Sequence, residues 1–214
     1  MTQALAGFNE HGVFLATDSR ATRFDASGHP EFFQVEKLFP LGKYGAILSG
    51  GAGVSVPLSL SLRREIERRR GWEDLDEIVE FARDFLSQGY ARHLEQHGPE
   101  PEGLRRIYFI LAGYAPDQPP PSFWLFLLAS EENELPLRLI PVGQVVVMPR
   151  NLGMEMRLFK ALQAGANLDE RLTMSRDFLE KMARIKKEVG PPYYFATITP
   201  EGYQPIRRPL KKPS

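Results

Sequence analysis

The chain has 214 residues, with 27 basic and 27 acidic side chains balancing to a formal net charge of zero, and it has no cysteine. That length suits a single domain with a real core, and the charge balance leaves no overall field to recruit nucleic acid or an anionic membrane. The missing thiols exclude disulfides and cysteine-held metal, the four histidines (His11, His29, His93, His97) are too scattered for a metal centre, and no cofactor is expected.

The opening residues predict two short strands, Thr2 to Gly7 and Gly12 to Thr17, joined by the turn residues Asn9-Glu10-His11-Gly12. Thr2 then stands at the free end of one strand and Asp18 at the end of its neighbour. Arg20 to Glu31 is polar, holds Gly28 and Pro30, and predicts a loop. Phe32 to Leu41 reads as one strand with Lys37 among apolar neighbours and Pro40 marking an edge or an end. Tyr44 to Ser49 is a further strand that empties into Gly50-Gly51-Ala52-Gly53. Glycines there let a ligand approach the backbone closely, and a following helix N-terminus favours a developing negative charge.

Two helices are expected next, Ser55 to Arg70, ended by Gly71-Trp72, and Asp74 to Gln96, whose Leu75, Ile78, Val79, Ala82 and Leu86 recur at helical spacing. The arginines between Arg63 and Arg70 read as a solvated helix face, because no aromatic stacking platform accompanies them. His93 and His97 share one helical face with no acid completing a metalloprotease pattern, so they too read as solvated. After a Gly/Pro-rich break at His97 to Gly103, the apolar strands Arg106 to Tyr114 and Ser122 to Ser130 form a hairpin across Ala115 to Pro121. The run Phe123 to Ala129 is far short of the roughly 20 residues that cross a bilayer. Leu137 to Met148 supplies another strand or a pair, broken around Pro141-Val-Gly143. Asn151 caps a third helix and Asn167 opens a fourth running to about Val189. Tyr193 to Thr199 and Tyr203 to Ile206 close the sheet as a hairpin. The basic tail Arg207 to Ser214 reads as frayed, so the expected domain is residues 1–206. No basic region followed by an apolar run opens the chain, which argues against a signal peptide and for a soluble, cytoplasmic protein.

The chemistry of this pattern centres on Thr2. Removal of Met1 would place a hydroxyl and an α-amine on one residue, and such an amine can take the hydroxyl proton as a general base. Its ordinary pKa, about 7.7–8, is close to working pH. A neighbouring positive charge keeps more of it neutral, so the site calls for a buried lysine with a carboxylate partner, for which Lys37 and Asp18 are the candidates.

Together these residues resemble a known family. The Thr2 strand, Leu15-Ala-Thr-Asp-Ser-Arg20, Lys37-Leu-Phe39 and Ser49-Gly-Gly-Ala-Gly53 look like the proteasome β-subunits and their bacterial relatives of the HslV and Anbu types. These are N-terminal-nucleophile (Ntn) hydrolases. The resemblance implies an α+β fold, a four-layer αββα sandwich. It makes Thr2 the nucleophile with its own amine as base, Lys37 the group that tunes that amine, and Asp18 the holder of Lys37. The Gly50 N–H becomes an oxyanion donor, with Arg20 and Gly51 in support. It further implies a peptide or protein substrate and a homo-oligomeric ring, and leaves an ATPase partner open. The family's Ser-Gly-Asp segment and helix-start serine, which help hold the amine, are replaced by Val189-Gly-Pro-Pro192 and Arg150-Asn-Leu-Gly153. Asn151 is the candidate to orient the amine instead. A second reading from another class is a proteasome-like subunit without an active terminus, serving assembly or gating.

Overall fold

Sixteen elements follow one another in the computed structural model, which describes residues 2–25, 27–69, 75–100, 104–117 and 122–206, with side chains of 75 and 76 excepted. In chain order they are β1 (Ala4–Asn9), β2 (Gly12–Asp18), β3 (Arg20–Phe24), β4 (Pro30–Gln34), β5 (Leu38–Leu41), β6 (Gly45–Gly51), α1 (Ser55–Arg68) and α2 (Leu75–His97). There follow β7 (Ile107–Tyr114), β8 (Phe123–Ser130), β9 (Arg138–Ile140), β10 (Val145–Met148), α3 (Leu152–Gln163), α4 (Leu168–Ile185), β11 (Tyr193–Thr199) and β12 (Gly202–Pro205).

The strands build two five-stranded antiparallel sheets, ordered β10-β1-β2-β11-β12 and β5-β6-β7-β8-β9, and a separate two-stranded ribbon, β3-β4. Alternation along each strand sends successive side chains to opposite faces, and here both faces of each large sheet are covered. Ala4, Ala6, Val13 and Leu15 of the first sheet meet Leu48, Ile110, Leu125 and Leu127 of the second in the central layer. The other face of the second sheet, with Ile47, Phe109 and Leu111, lies under Leu62 and Ile66 of α1 and Ala82 and Leu86 of α2. Leu5, Phe14 and Ala16 on the far side of the first sheet pack against Met154 and Leu158 of α3 and Leu172 and Leu179 of α4. The result is an α+β, four-layer αββα sandwich. Each fully buried leucine in it is worth about 1.5–3 kcal/mol of transfer free energy.

α3 and α4 start where the sequence supplies a cap. Asn151 accepts the Met154 N–H at 2.9 Å, and Asn167 forms a reciprocal capping box with Glu170. Arg171, a fully buried residue of α4, donates from Nε to the Asn167 carbonyl and lies 5.6 Å over the Phe14 ring.

Several expectations need correction. The segment read as a polar loop from Arg20 to Glu31 carries β3 and the start of β4, which pair from Arg20↔Gln34 to Phe24↔Pro30. The single strand expected over Phe32 to Leu41 is two, in different sheets, with residues 35–37 between them. The apolar residues of this stretch are interrupted by Gln34, Glu36 and Lys37, and it is there that the chain leaves the ribbon and joins the second sheet. Of the two readings of Leu137 to Met148 the pair holds, broken between Ile140 and Val145, with β9 and β10 in different large sheets. β1 begins at Ala4 rather than Thr2, and α4 stops at Ile185. The His93 side chain is only 22% exposed, with Nε2 3.0 Å from Glu100 Oε1 and its ring stacked 4.6 Å from that of His97. The helix end at Gly71-Trp72, the break at residues 101–103, the prolines 119–121 and the tail 207–214 lie outside the described residues. Among those described, no helix is long and apolar enough to cross a membrane.

Candidate active site at the N-terminal strand

β1 and β2 lie side by side in register Ala4↔Thr17, so the residues just beyond, Thr2-Gln3 on one strand and Asp18 on the other, meet at the same end of the sheet. Asp18 is fully buried and surrounded by donors. Its Oδ1 accepts the Gln3 N–H at 2.9 Å and Lys37 Nζ at 3.2 Å. Its Oδ2 accepts the Arg20 N–H at 3.0 Å and the Gly190 N–H at 3.4 Å. A carboxylate held by several backbone N–H groups is stiffly placed, and such charge-assisted bonds are stronger than neutral ones.

Lys37 is 2% exposed, and its ammonium also donates to the Arg20 carbonyl at 2.6 Å. The break between β4 and β5 is what lets it do so. Lys37 stands one residue before β5, where its carbonyl accepts the Ser49 N–H at 3.0 Å while its side chain crosses to Asp18. Burial is the largest influence on both partners. It raises the Asp18 carboxyl above its ordinary value and lowers the Lys37 ammonium, while their mutual attraction works against each shift.

Thr2 is buried, at 6% exposure. Across from it β6 delivers Gly50, and a methyl group on that residue would sit 2.8 Å from Thr2 Cβ and 2.5 Å from Tyr108 Cζ. The absence of a side chain at Gly50 is therefore a steric requirement of the site. Gly51 follows at φ +87°, a left-handed conformation that L side chains rarely adopt, and here a Cβ would also strike the Arg106 carbonyl. Arg20 supports the cluster from outside. Its Nη1 donates to the Lys187 carbonyl at 2.7 Å, its guanidinium lies over Gly190, and it stacks 5.5 Å from the Phe32 ring.

Thr2, Asp18, Lys37, Gly50, Gly51 and Arg20 thus gather at one place. Asn151 stands apart from that role, because its side-chain oxygen is committed to capping α3. The segment Val189-Gly-Pro-Pro192, without a side-chain hydroxyl or carboxylate, contributes backbone instead: the Gly190 carbonyl accepts the Ser19 N–H at 3.3 Å as the Gly190 N–H donates to Asp18. Sequence reasoning missed Tyr108, placed there only as one apolar position within a strand. Its hydroxyl donates to the Thr2 carbonyl at 3.1 Å. The sequence signal was a phenol on the strand face that also carries Ile110 and Ala112, whose buried hydroxyl needs an acceptor.

A scan against protein-family models and a comparison with curated proteins return no match. Among solved structures, the chain is similar to the Anbu (Gly-1) mutant from Hyphomicrobium sp. strain MC1, with a TM-score of 0.68 and 14% identity over 97% of this chain and 85% of that one. The chain therefore shares the fold of that protein, and the resemblance to bacterial proteasome-like Ntn hydrolases of the Anbu type holds at the level of architecture.

Proposed function

We propose that the chain is a threonine-type Ntn hydrolase that cleaves amide or peptide bonds once Met1 has been removed. The observation that carries this reading is the buried convergence of Thr2 with Gly50 and with the Lys37–Asp18 pair, whose Asp18 also grips the residue after Thr2. In the reaction, the Thr2 amine takes the proton from Oγ1 as the oxygen attacks the substrate carbonyl. The tetrahedral oxyanion is met by the Gly50 N–H. Collapse expels the amine fragment, which leaves with the proton held by the Thr2 ammonium, and an acyl ester remains on Oγ1. Water, deprotonated by the same amine, then releases the acyl group. The Lys37 ammonium disfavours protonation of the amine and keeps the base available.

The same reading takes a peptide or protein as substrate and the working form as a homo-oligomeric ring in the cytoplasm, by likeness of fold to the Anbu type. Intact mass and activity test it together. A chain beginning at Thr2 should hydrolyse a peptide reporter and be labelled at Thr2 by a threonine-directed electrophile, and Thr2→Ala should abolish both. Turnover unchanged in Thr2→Ala would sink the proposal. Met1 retained in the source cells, with no labelling, would favour the non-catalytic subunit instead.

A further inference from the structure

We propose that Tyr108 is the positioning residue that aims the Thr2 amine and hydroxyl, acting through the Thr2 carbonyl. This rests on the proposed nucleophile. A residue at a free chain end has no preceding peptide to hold it, so the directions of its amine and Cβ depend on how the peptide plane that follows is fixed. That plane, between Thr2 and Gln3, is pinned at both ends. Its N–H donates to Asp18 Oδ1 at 2.9 Å, and its carbonyl accepts the Tyr108 hydroxyl at 3.1 Å. With the plane set, only rotation about Cα–C and Cα–Cβ remains to place the two reacting groups.

The phenol is itself tightly held. Tyr108 is 4% exposed on β7, opposite Gly50 in the β6–β7 register, and its ring lies in the central layer between the sheets. A side chain on Gly50 would meet both the Tyr108 ring and Thr2, so one glycine makes room for the anchor and the nucleophile together. Burial, and then the charge of Asp18, push the Tyr108 hydroxyl well above the ordinary range for tyrosine. It therefore keeps its proton, and remains a donor, wherever the amine can work as a base. A second carbonyl, that of Met148, lies 3.5 Å from the hydroxyl and also accepts the Gln3 side-chain amide at 3.2 Å. That links the anchor to β10, on the other flank of β1.

The test compares Tyr108→Phe with wild type, both verified by mass to begin at Thr2. Removing one oxygen keeps the ring. The expected result is a kcat lower by at least about tenfold with KM within about twofold, the signature of misplaced reacting groups. Amide exchange at Gln3 should quicken while Leu5 and Ala6 in the strand stay protected. An unchanged kcat in an enzyme whose turnover still requires Thr2 would overturn the positioning role and leave the nucleophile standing. If neither hydrolysis nor labelling depends on Thr2, the proposed function falls and the anchor is judged on exchange alone: faster at Gln3 supports it, unchanged refutes it. Should Tyr108→Phe not fold, the wild type decides. A slowly exchanging Tyr108 hydroxyl proton close to Thr2 in its magnetic resonance spectrum is expected, and its absence counts against the anchor.

Discussion

At Gly50 the space a side chain would need is already filled. Thr2 and Tyr108 both lie inside ordinary contact distance of any Cβ placed there, so Gly50→Ala must displace one of them. The expected cost is about 1–3 kcal/mol of stability, typical of overpacking a close-fitted interior, read as a lower urea midpoint. Activity should fall further than stability alone explains, because the residue pushed aside is the nucleophile or its anchor. Gly51→Ala, by contrast, should harm stability chiefly through its positive φ and the Arg106 carbonyl. Lys37 and Asp18 illustrate the same closeness in electrostatic form. Each is buried, and each is tolerable only because the other, with the surrounding N–H and carbonyl groups, takes the place of water.

Elements explain how such residues come to be neighbours. The β1–β2 hairpin brings Thr2 beside Asp18, and the chain's departure from the ribbon after β4 swings Lys37 inward. That departure is anchored by the Val35 N–H donating to the Ser19 carbonyl at 2.8 Å, so the ribbon's root is tied to the residue after Asp18. On the opposite side of the sheet, α4 is started by a local device. The Asn167 side chain accepts the Glu170 N–H at 3.0 Å, and Glu170 accepts the Asn167 N–H at 2.9 Å. Asn167→Ala removes one half of that box and should cost about 1 kcal/mol. In a chain of this size that lowers Tm by about 2–4 °C, measurable by calorimetry. Hydrolysis should be untouched below that temperature, since Asn167 caps the end of α4 opposite to the one that leads into Lys187 and Gly190.

The whole molecule responds to pH through phenols that the sandwich buries. Burial pushes Tyr90 and Tyr203 up to about 12, from an ordinary value near 10. The sign follows from proton counting. Between about pH 10 and 12 the folded chain holds protons that the unfolded chain has released, so this contribution is intact below pH 10 and is lost as pH rises through 12. Titration followed by tyrosinate absorbance should show Tyr90 and Tyr203 ionising about two units above free tyrosine, Tyr108 later than the ordinary range as well, and unfolding setting in over the same range. Simultaneous ionisation of all seven tyrosines in folded protein would contradict the packing.

Local patterns were enough for much of this. Strand alternation, helical spacing and the asparagine caps placed both helix pairs and most strands, because those signals act between residues a few positions apart. The grouping of Thr2, Asp18, Lys37 and Gly50 was also legible, through the likeness of their short segments to a known family. What spacing could not carry was partnership across the fold. The polar residues Gln34, Glu36 and Lys37 interrupt the stretch from Phe32 to Leu41, but nothing local says that the strands on either side of them join different sheets. Tyr108 is 106 positions from Thr2, and the Gly190 N–H reaches Asp18 across 172. Short-range preference is written in neighbouring side chains, whereas contacts of that separation exist only after two sheets have stacked and closed the space between them. That stacking decided which phenol, which glycine and which backbone N–H attend the chain's first threonine.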